Sequence, residues 1–177
     1  MALKYGWNLT VFRPGCIWGP GNSYGARLGQ ELGPVQLIFG GRQMIPLTYV
    51  KNCADCFVLA LENPNSINET FNVVDGEDID VWQFAGEYLK STGKKKLRLA
   101  IPYGLSFSAV RLVHTLSKII FKGKGKLPSI LIPCRFEARF KPVSYSNAKL
   151  RQLLRWSPPL NFQDCLAQAF ESVSAKG

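Results

Sequence analysis

The sequence predicts an α/β fold, and three observations lead to that prediction. Apolar residues recur with a period of two in some segments and of three to four in others, and the two kinds of segment alternate along the chain. Glycine, proline or a capping residue marks the changes of period. The composition, 46% hydrophobic and 19% charged over 177 residues, is that of a globular protein rather than a disordered or fibrous one. We therefore expect strands and helices that alternate along the chain.

Short strands are predicted at residues 9–12, 35–39, 44–49, 70–74 and 97–101. The first of them ends at Arg13-Pro14-Gly15, and a loop rich in glycine and proline, Gly19-Pro20-Gly21 with Gly25, follows. In α/β proteins, ligands bind where a buried strand runs into such a loop. The candidate ligand site is therefore expected at the end of the first strand.

Three helices are predicted over residues 50–61, 81–92 and 162–173. The inward stripe of the first consists of Val50, Cys53, Ala54, Phe57, Val58 and Leu61. Polar pairs spaced by three residues are placed as caps near the starts of the helices, namely Asn52 with Asp55, Asp80 with Gln83, and Asn161 with Asp164.

The formal charge is +10, from 22 Lys and Arg against 12 Asp and Glu. Residues 1–90 carry a net −3 and residues 91–177 a net +13, so an anionic partner would meet the second half. Basic residues there alternate with phenylalanine, but no nucleic-acid motif accompanies them. A funnel for an anionic substrate or a solvated surface is expected, and nucleic acid is not.

Residues 103–121 form a long apolar stretch interrupted by Arg111, His114 and Lys118. Each Arg or Lys at mid-membrane costs about 2.5 to 3.5 kcal/mol, so a membrane span is not expected. Two interpretations stay open. The stretch is an amphipathic helix on an anionic membrane surface, or it is a domain helix with a solvated basic face. The second predicts an inward face made of Leu112, Val113, Leu116, Ile119 and Ile120.

Several kinds of chemistry are not expected. Five scattered cysteines and the lack of a secretory start favour a reducing, cytoplasmic setting without disulfides. The pair Cys53-x-x-Cys56 has no second pair, and His114 is the single histidine, so neither a metal site nor a Ser/His/Asp triad is predicted. The common glycine-rich phosphate loops are absent from the sequence.

Four stretches, in order, resemble one family. They are Arg13-Pro14-Gly15-Cys16-Ile17-Trp18-Gly19-Pro20-Gly21, residues 45–55, Phe71-Asn72-Val73-Val74-Asp75-Gly76, and residues 149–158. Their counterparts occur in the extended short-chain dehydrogenase/reductases, the NAD-dependent epimerase/dehydratase family that includes relatives of 3β-hydroxysteroid dehydrogenase. The resemblance covers nearly the whole chain.

The resemblance implies a single partial domain over residues 1–177, the C-terminal part of a Rossmann-type NAD(P)-binding fold plus a small mixed α/β substrate-binding subdomain. It places Met1 just beyond the family's Tyr-x-x-x-Lys helix, so the glycine-rich cofactor loop and the catalytic pair are expected outside this chain. NAD or NADP is the implied cofactor, and no catalytic residue is assigned within residues 1–177.

The resemblance also implies site residues. Pro14, Gly15 and Ile17 would line the nicotinamide end of the cofactor site, since proline and glycine let a backbone approach a planar ring closely. Substrate would face Cys16, Trp18, Met44 and Tyr49. Cys16 and Ile45 stand where nucleotide-sugar epimerases have a phosphate-contacting Asn and Arg, which disfavours a nucleotide sugar held in the usual way. Arg42, Arg135 and Arg139 are candidates for anion contacts from other positions.

Tyr145-Ser146-Asn147-Ala148-Lys149 also matches Tyr-x-x-x-Lys, the spacing of an acid/base pair on a helix. The alternative interpretation is a helix cap, since Leu150, Leu153 and Pro158 follow rather than the family's strand.

The expected function is that of the substrate-binding half of an NAD(P)-dependent enzyme acting on a small hydroxyl-bearing molecule, inactive alone. A non-catalytic anion- or membrane-binding module and a ligand sensor are the alternatives. A second copy of the chain and a membrane surface touching residues 103–121 stay open as partners.

Overall fold

The computed structural model describes residues 6–22, 28–120, 122 and 126–174. The chain divides into two compact units. Unit 1 comprises Met1–Ala26, Ile45–Ile79 and Ser144–Gly177, and unit 2 comprises Arg27–Met44 and Asp80–Val143. The sequence predicts one partial domain, and the structure divides it into these two units.

Unit 1 contains two pairs of parallel strands. Strand β1 (Val11–Pro14) pairs with β6 (Thr70–Val73), and β2 (Cys16–Trp18) pairs with β5 (Leu47–Tyr49). Parallel strands need long crossover connections. Helix α1 (Val50–Glu62) lies between β5 and β6 in the chain, and α5 (Ala148–Leu154) and α6 (Phe162–Ser174) complete the unit.

The core of unit 1 is formed by one face of α1, by β6 and by α5. Its buried members are Cys53, Cys56, Ala60, Phe71, Val73, Leu150, Leu154 and Trp156. The predicted stripe of α1 is therefore wrong except at Cys53, because Val50, Ala54, Phe57, Val58 and Leu61 are exposed. Leu61 is 88% exposed. The inward face instead runs from Asn52 through the two cysteines to Ala60.

Unit 2 is built on a three-stranded sheet in the order β3-β4-β7. Strand β3 (Gln30–Leu32) is antiparallel to β4 (Val35–Phe39), which is parallel to β7 (Leu97–Ile101). Helices α2 (Val81–Ser91), α3 (Tyr103–Ile120) and α4 (Pro133–Phe140) accompany it. Buried Val110, Phe136 and Phe140 form a cluster with partly buried aromatic residues around them.

The strands predicted at 35–39 and 97–101 and all three helices are confirmed. The strand predicted at 70–74 ends at Val73, and the one predicted at 44–49 begins at Leu47. The first strand begins at Val11 rather than at residue 9, and β2 and β3 are elements that the sequence pattern missed. Residue 44 makes only an isolated bridge to Asp80.

Two of the three predicted caps are confirmed. In the capping box of α2, the Gln83 amide N–H donates to Asp80 Oδ1 at 2.7 Å, and the Asp80 N–H donates to Gln83 Oε1 at 3.0 Å. The Asp164 N–H donates to Asn161 Oδ1 at 3.0 Å. The cap at Asn52 is wrong, since Tyr49 is the N-cap of α1 and the Asn52 side chain is buried.

Helix α3 contradicts the interpretation in which its leucines and isoleucines face the core. Its buried residues are Ser106, Val110 and Ser117. The predicted inward set is exposed, with Ile119 and Ile120 each at 68%. Arg111 and Lys118 are exposed as well. Within the described residues no helix has the length and apolar character required to cross a bilayer.

Candidate functional site

The chain passes from the β1–β6 pair to the β2–β5 pair at Gly15. The Gly15 N–H donates to the Val73 carbonyl oxygen at 3.0 Å and lies 3.1 Å from Thr48 Oγ1. Thr48 Oγ1 in turn donates to the same Val73 oxygen at 2.6 Å. This point, at the ends of parallel strands, is where an α/β fold places its ligands.

Gly15 is required here by packing within unit 1. A Cβ at this position would lie 2.2 Å from the Pro46 carbonyl oxygen and 2.9 Å from a Val74 methyl carbon. The Cys16 N–H donates to that same Pro46 oxygen at 2.6 Å. The missing side chain thus has a structural reason of its own, in addition to the close ligand approach that the sequence predicts.

The other predicted residues of unit 1 differ in accessibility. Pro14 and Cys16 are half-buried and Ile17 is exposed, so these three present surface to a ligand. Trp18 and Tyr49 are 1% and 0% exposed. Their rings meet edge to face at 5.2 Å, and Trp18 also packs on Phe162 at 5.8 Å. In this conformation Trp18 and Tyr49 support β2 and β5 from inside and offer no surface to a substrate.

The hydroxyl of Tyr49 is buried, and it neither donates nor accepts a hydrogen bond within the described part of the chain. Burial raises the pKa of this phenol above its ordinary value. A buried polar atom without a partner is uncommon in folded proteins.

Asp75 organises a buried polar network beside the predicted site. Its Oδ2 accepts from the Tyr49 N–H at 2.7 Å, and its Oδ1 accepts from Asn52 Nδ2 at 3.1 Å. Asn52 is also bonded to Leu160 in both directions, at 3.0 and 3.1 Å. Desolvation raises the pKa of Asp75 to about 6, against the opposing effect of these hydrogen bonds. The network ties the segment after β6, the start of α1 and the segment before α6 together.

The sequence does not predict this network, because Asn52 and Asp75 both occupy positions that suit a helix cap or a turn. One signal was available. Asn52 precedes Cys53 and is four residues from Cys56, so it lies on the side of α1 that the cysteines occupy.

Four of the predicted residues belong to unit 2, namely Arg42, Met44, Arg135 and Arg139, whereas the other six belong to unit 1. Arg42 and Met44 are exposed after the turn at Gly40-Gly41. Arg139 is exposed on α4, with its guanidinium 5.4 Å from the centre of the Phe140 ring. Their role at a ligand site stays a prediction.

Tyr145 and Lys149, which match Tyr-x-x-x-Lys, do not form an acid/base pair. Tyr145 lies outside α5, and Lys149 is ion-paired with Glu69 and lies 5.7 Å from the Phe71 ring centre. The N-cap of α5 is Asn147, whose side chain makes no capping hydrogen bond, and the residue before it, Ser146, accepts at Oγ from the Ala148 N–H at 3.2 Å.

The cysteines of α1 and α6 are packing residues. Burial raises the pKa of Cys56 to about 12 and that of Cys165 to about 12, which keeps both thiols protonated at neutral pH. In the described ranges, no three His, Cys, Asp or Glu side chains are grouped so that they could hold a metal ion.

Comparison with known proteins gives both sequence and structural relatives. No family model matches the chain. It is 24% identical over 178 residues to 3β-hydroxysteroid dehydrogenase/decarboxylase isoform 1 of Arabidopsis thaliana, an alignment that covers 92% of this chain and 39% of the relative. It is 29% identical over 118 residues to an N-acetyl-α-D-glucosaminyl-diphospho-ditrans,octacis-undecaprenol 4-epimerase of Escherichia coli O157:H7, covering 65% and 36%.

Solved epimerase structures share the fold. The UDP-glucuronic acid 4-epimerase of Bacillus cereus, solved with UDP-glucuronic acid and NAD, superimposes with a TM-score of 0.63 at 18% identity and covers 99% of this chain and 48% of the other. The UDP-glucose 4-epimerase of Thermotoga maritima gives a TM-score of 0.62 at 22% identity, with 99% and 48% covered. The chain thus spans between about a third and a half of the proteins it matches, and its mixed α/β, Rossmann-type fold is confirmed. In sequence and in fold the chain is thus similar to the extended short-chain dehydrogenase/reductases, the NAD-dependent epimerase/dehydratase family.

Proposed function

We propose that this chain is the substrate-binding half of an NAD(P)-dependent epimerase, dehydratase or dehydrogenase, inactive by itself. Its substrate is a small molecule that bears a hydroxyl group, either a sugar derivative or a steroid-like alcohol. The relatives support these classes, because they are named for a 3β-hydroxysteroid, for a sugar linked to undecaprenol, and for UDP-sugars.

One observation carries the proposal, namely the apolar face that unit 1 leaves exposed. Parallel strands are usually covered on both faces. Within the described residues, β1 pairs only with β6, so one edge of β1 has no strand beside it. On α1, Phe57, Val58 and Leu61 are exposed. An exposed strand edge with apolar residues needs a cover, and the cofactor-binding half of the complete enzyme is the cover we propose.

The accessible residues at the strand ends suit the planar end of a nicotinamide cofactor. Pro14 and Ile17 offer apolar surface for a ring face. When bound, NAD(P) would supply the chemistry of hydride transfer. The chain's own part is to hold β2 rigid through the Trp18–Tyr49 packing and to keep water from the ring, while Cys16 borders the substrate.

The exposed face of unit 1 can be tested directly. We expect the wild-type chain to self-associate at micromolar concentration, and we expect the double variant Val58→Asp/Leu61→Asp to self-associate much less. Gln152→Asp adds charge at an exposed polar position of α5, serves as the control and is expected to behave like wild type. Light scattering on the three proteins measures their molar mass. A wild-type chain that is monomeric would contradict the need for a cover.

A second candidate function, binding to an anionic membrane surface, is favoured by α3. Its outer side presents leucine and isoleucine together with Arg111 and Lys118. Unit 2 as a whole carries 15 Lys and Arg against 4 Asp and Glu, a net +11. An exposed apolar face beside basic residues is the pattern of a helix that lies in a lipid interface.

Co-sedimentation with vesicles tests this candidate. Binding to vesicles rich in anionic lipid is expected to fall steeply between about 50 mM and about 500 mM salt, since the Debye length shrinks over that range. Ile119→Glu is expected to abolish binding, and Ser108→Glu, at an exposed polar position of the same helix, to reduce it only modestly. Binding that ignores both salt and the Ile119→Glu change would rule the candidate out.

A further inference from the structure

Unit 2 contains an apolar cavity of about 420 Å³ between its sheet and its helices. Leu37 and Phe39 of β4 and Ile101 of β7 line it from the sheet. Val110 of α3 and Phe136 of α4 line it from the helices and belong to the buried cluster of this unit. The volume lies within the range of about 300 to 1,000 Å³ that small-molecule sites occupy.

The lining offers almost nothing to a polar ligand. Gln30 and Ser106 are its polar residues, and the Ser106 hydroxyl is already placed against the Pro102 and Tyr103 carbonyl oxygens at 3.2 and 2.9 Å. A sugar or a nucleotide base in this cavity would lose its hydrogen bonds to water without replacement, at a cost of several kcal/mol. The occupant that fits this lining is therefore hydrocarbon.

The rim of the cavity continues into the exposed side of α3. Leu105 and Val113 both line the cavity and are exposed, Leu105 at 66%. Leu116 is exposed one helical turn beyond Val113. A continuous apolar path thus runs from the outer face of α3 into the cavity, so a chain that rests on this face can enter without crossing polar surface.

We propose that this cavity binds one hydrocarbon chain of a lipid or of a lipid-linked molecule. An apolar cavity of roughly 150 Å³ holds a benzene-sized molecule, so about 420 Å³ holds a chain on the order of 15 carbon atoms. The inference goes beyond the proposed function, because it concerns unit 2 alone and requires neither cofactor nor catalysis.

The first test measures how affinity depends on chain length. Straight-chain fatty acids from about 8 to about 18 carbon atoms displace an apolar dye from the full chain, and each buried CH₂ is expected to strengthen binding by up to about fourfold. Affinity should level off near 15 carbons, since further carbons remain outside. The carboxylate is common to the series and cancels. No saturable binding, or affinity independent of length, would overturn the proposal.

The second test fills the cavity. Ala109 lines it and is exposed, so Ala109→Phe is expected to weaken binding of the longer acids at least tenfold. Ser108→Phe places the same ring on the neighbouring exposed residue outside the lining and is expected to stay within twofold of wild type. If Ala109→Phe does not fold, Val113→Lys against Leu112→Lys provides the same contrast. Equal losses in the two members of a pair would overturn the proposal.

Vesicle binding separates the cavity from the outer face of α3. Ala109→Phe is expected to leave sedimentation with anionic vesicles within twofold while it lowers affinity for the soluble acids. A fall in vesicle binding as large as the fall in fatty-acid affinity would place both on one surface and overturn a separate cavity site. A rigid sterol that binds while no linear acid does would overturn it as well. Failure of these tests leaves the cofactor question of unit 1 unaffected.

Discussion

The two units of the chain differ in charge, in strand arrangement and in what they bury. Unit 1 carries 7 Lys and Arg against 8 Asp and Glu, a net −1, whereas unit 2 carries a net +11. Unit 1 has parallel strand pairs and a buried polar network around Asp75. Unit 2 has a mixed sheet, an aromatic cluster and an apolar cavity.

All four stretches that carry the family resemblance lie in unit 1. Unit 2 consists of segments between them. The stretches that resemble the family and the segments that do not therefore lie in different units of the chain. The residues that the resemblance assigns to a cofactor lie in unit 1, whereas the positive charge, the apolar cavity and the exposed face of α3 lie in unit 2.

The largest expected effect contrasts the buried core of unit 1 with the outward face of α1. Phe71 is fully buried in that core, so Phe71→Ala should lower the free energy of unfolding by about 3 to 5 kcal/mol. Leu61→Ala should change it by less than about 0.5 kcal/mol because Leu61 is exposed. Denaturant titration measures both. If Leu61→Ala lowers the free energy of unfolding by more than about 2 kcal/mol, Leu61 faces the core as the sequence predicts.

The next effect is a pH dependence confined to unit 1. The folded pKa of Asp75, about 6, is above its unfolded value of 3.8, so the folded state holds a proton that the unfolded state loses in between. Stability should therefore fall as pH rises from about 4 to about 6, by about 3 kcal/mol. In Asp75→Asn this fall should be absent. If the free energies of unfolding of wild type and Asp75→Asn differ by the same amount from pH 4 to pH 7, Asp75 does not cause this pH dependence.

Two glycines should respond in opposite directions. Gly15→Ala forces a methyl group against Pro46 in unit 1 and should destabilise by about 1 to 3 kcal/mol. Gly104 lies in α3 of unit 2, where an alanine methyl group would meet no neighbouring atom within 4 Å, so Gly104→Ala should stabilise by up to about 1 kcal/mol. Thermal unfolding of the two variants compares them, and a neutral Gly15→Ala would remove the packing reason for this glycine.

The smallest effect is the reverse pH dependence in unit 2. The hydrogen bond from Lys96 lowers the pKa of Glu31, so the stability that Glu31 contributes is present above the unfolded pKa of 4.5 and is lost as pH falls through the lower folded value. Glu31→Gln should therefore approach wild-type stability in acid. Urea titrations of the pair from pH 3 to pH 7 test the sign, and a gap that widens in acid would contradict it.

Much of the fold follows from local patterns, as at Asp80 and Gln83, where spacing alone predicts the capping box. Errors arise where long-range packing decides. In α1 and α3 the spacing of the apolar residues predicts a helix, but it does not predict which side of the helix packs against the core. In both helices small or polar residues face inward, among them Asn52 and Ser106. Strand β2 has three residues, too few for a period to be visible, and it forms because β5 lies beside it.

The sequence predicts a candidate site at the end of β1 but carries no information on how accessible each side chain is there. Trp18 follows exposed Ile17 in β2, and strand alternation turns its side chain inward. Tyr49 lies in β5, a strand in which all three residues are buried. The Asp75 network joins segments 23 and 108 positions apart in the chain, a distance over which no local pattern operates.

Equilibrium titration of the full 177-residue chain with NAD and with NADP tests the central claim most directly. No stoichiometric binding of either cofactor, and no turnover of a hydroxyl-bearing substrate, are expected, because the sequence contains none of the common glycine-rich phosphate loops that hold a dinucleotide. Stoichiometric binding of NAD or NADP, or hydride transfer by the isolated chain, would contradict the assignment of this chain as a substrate-binding half.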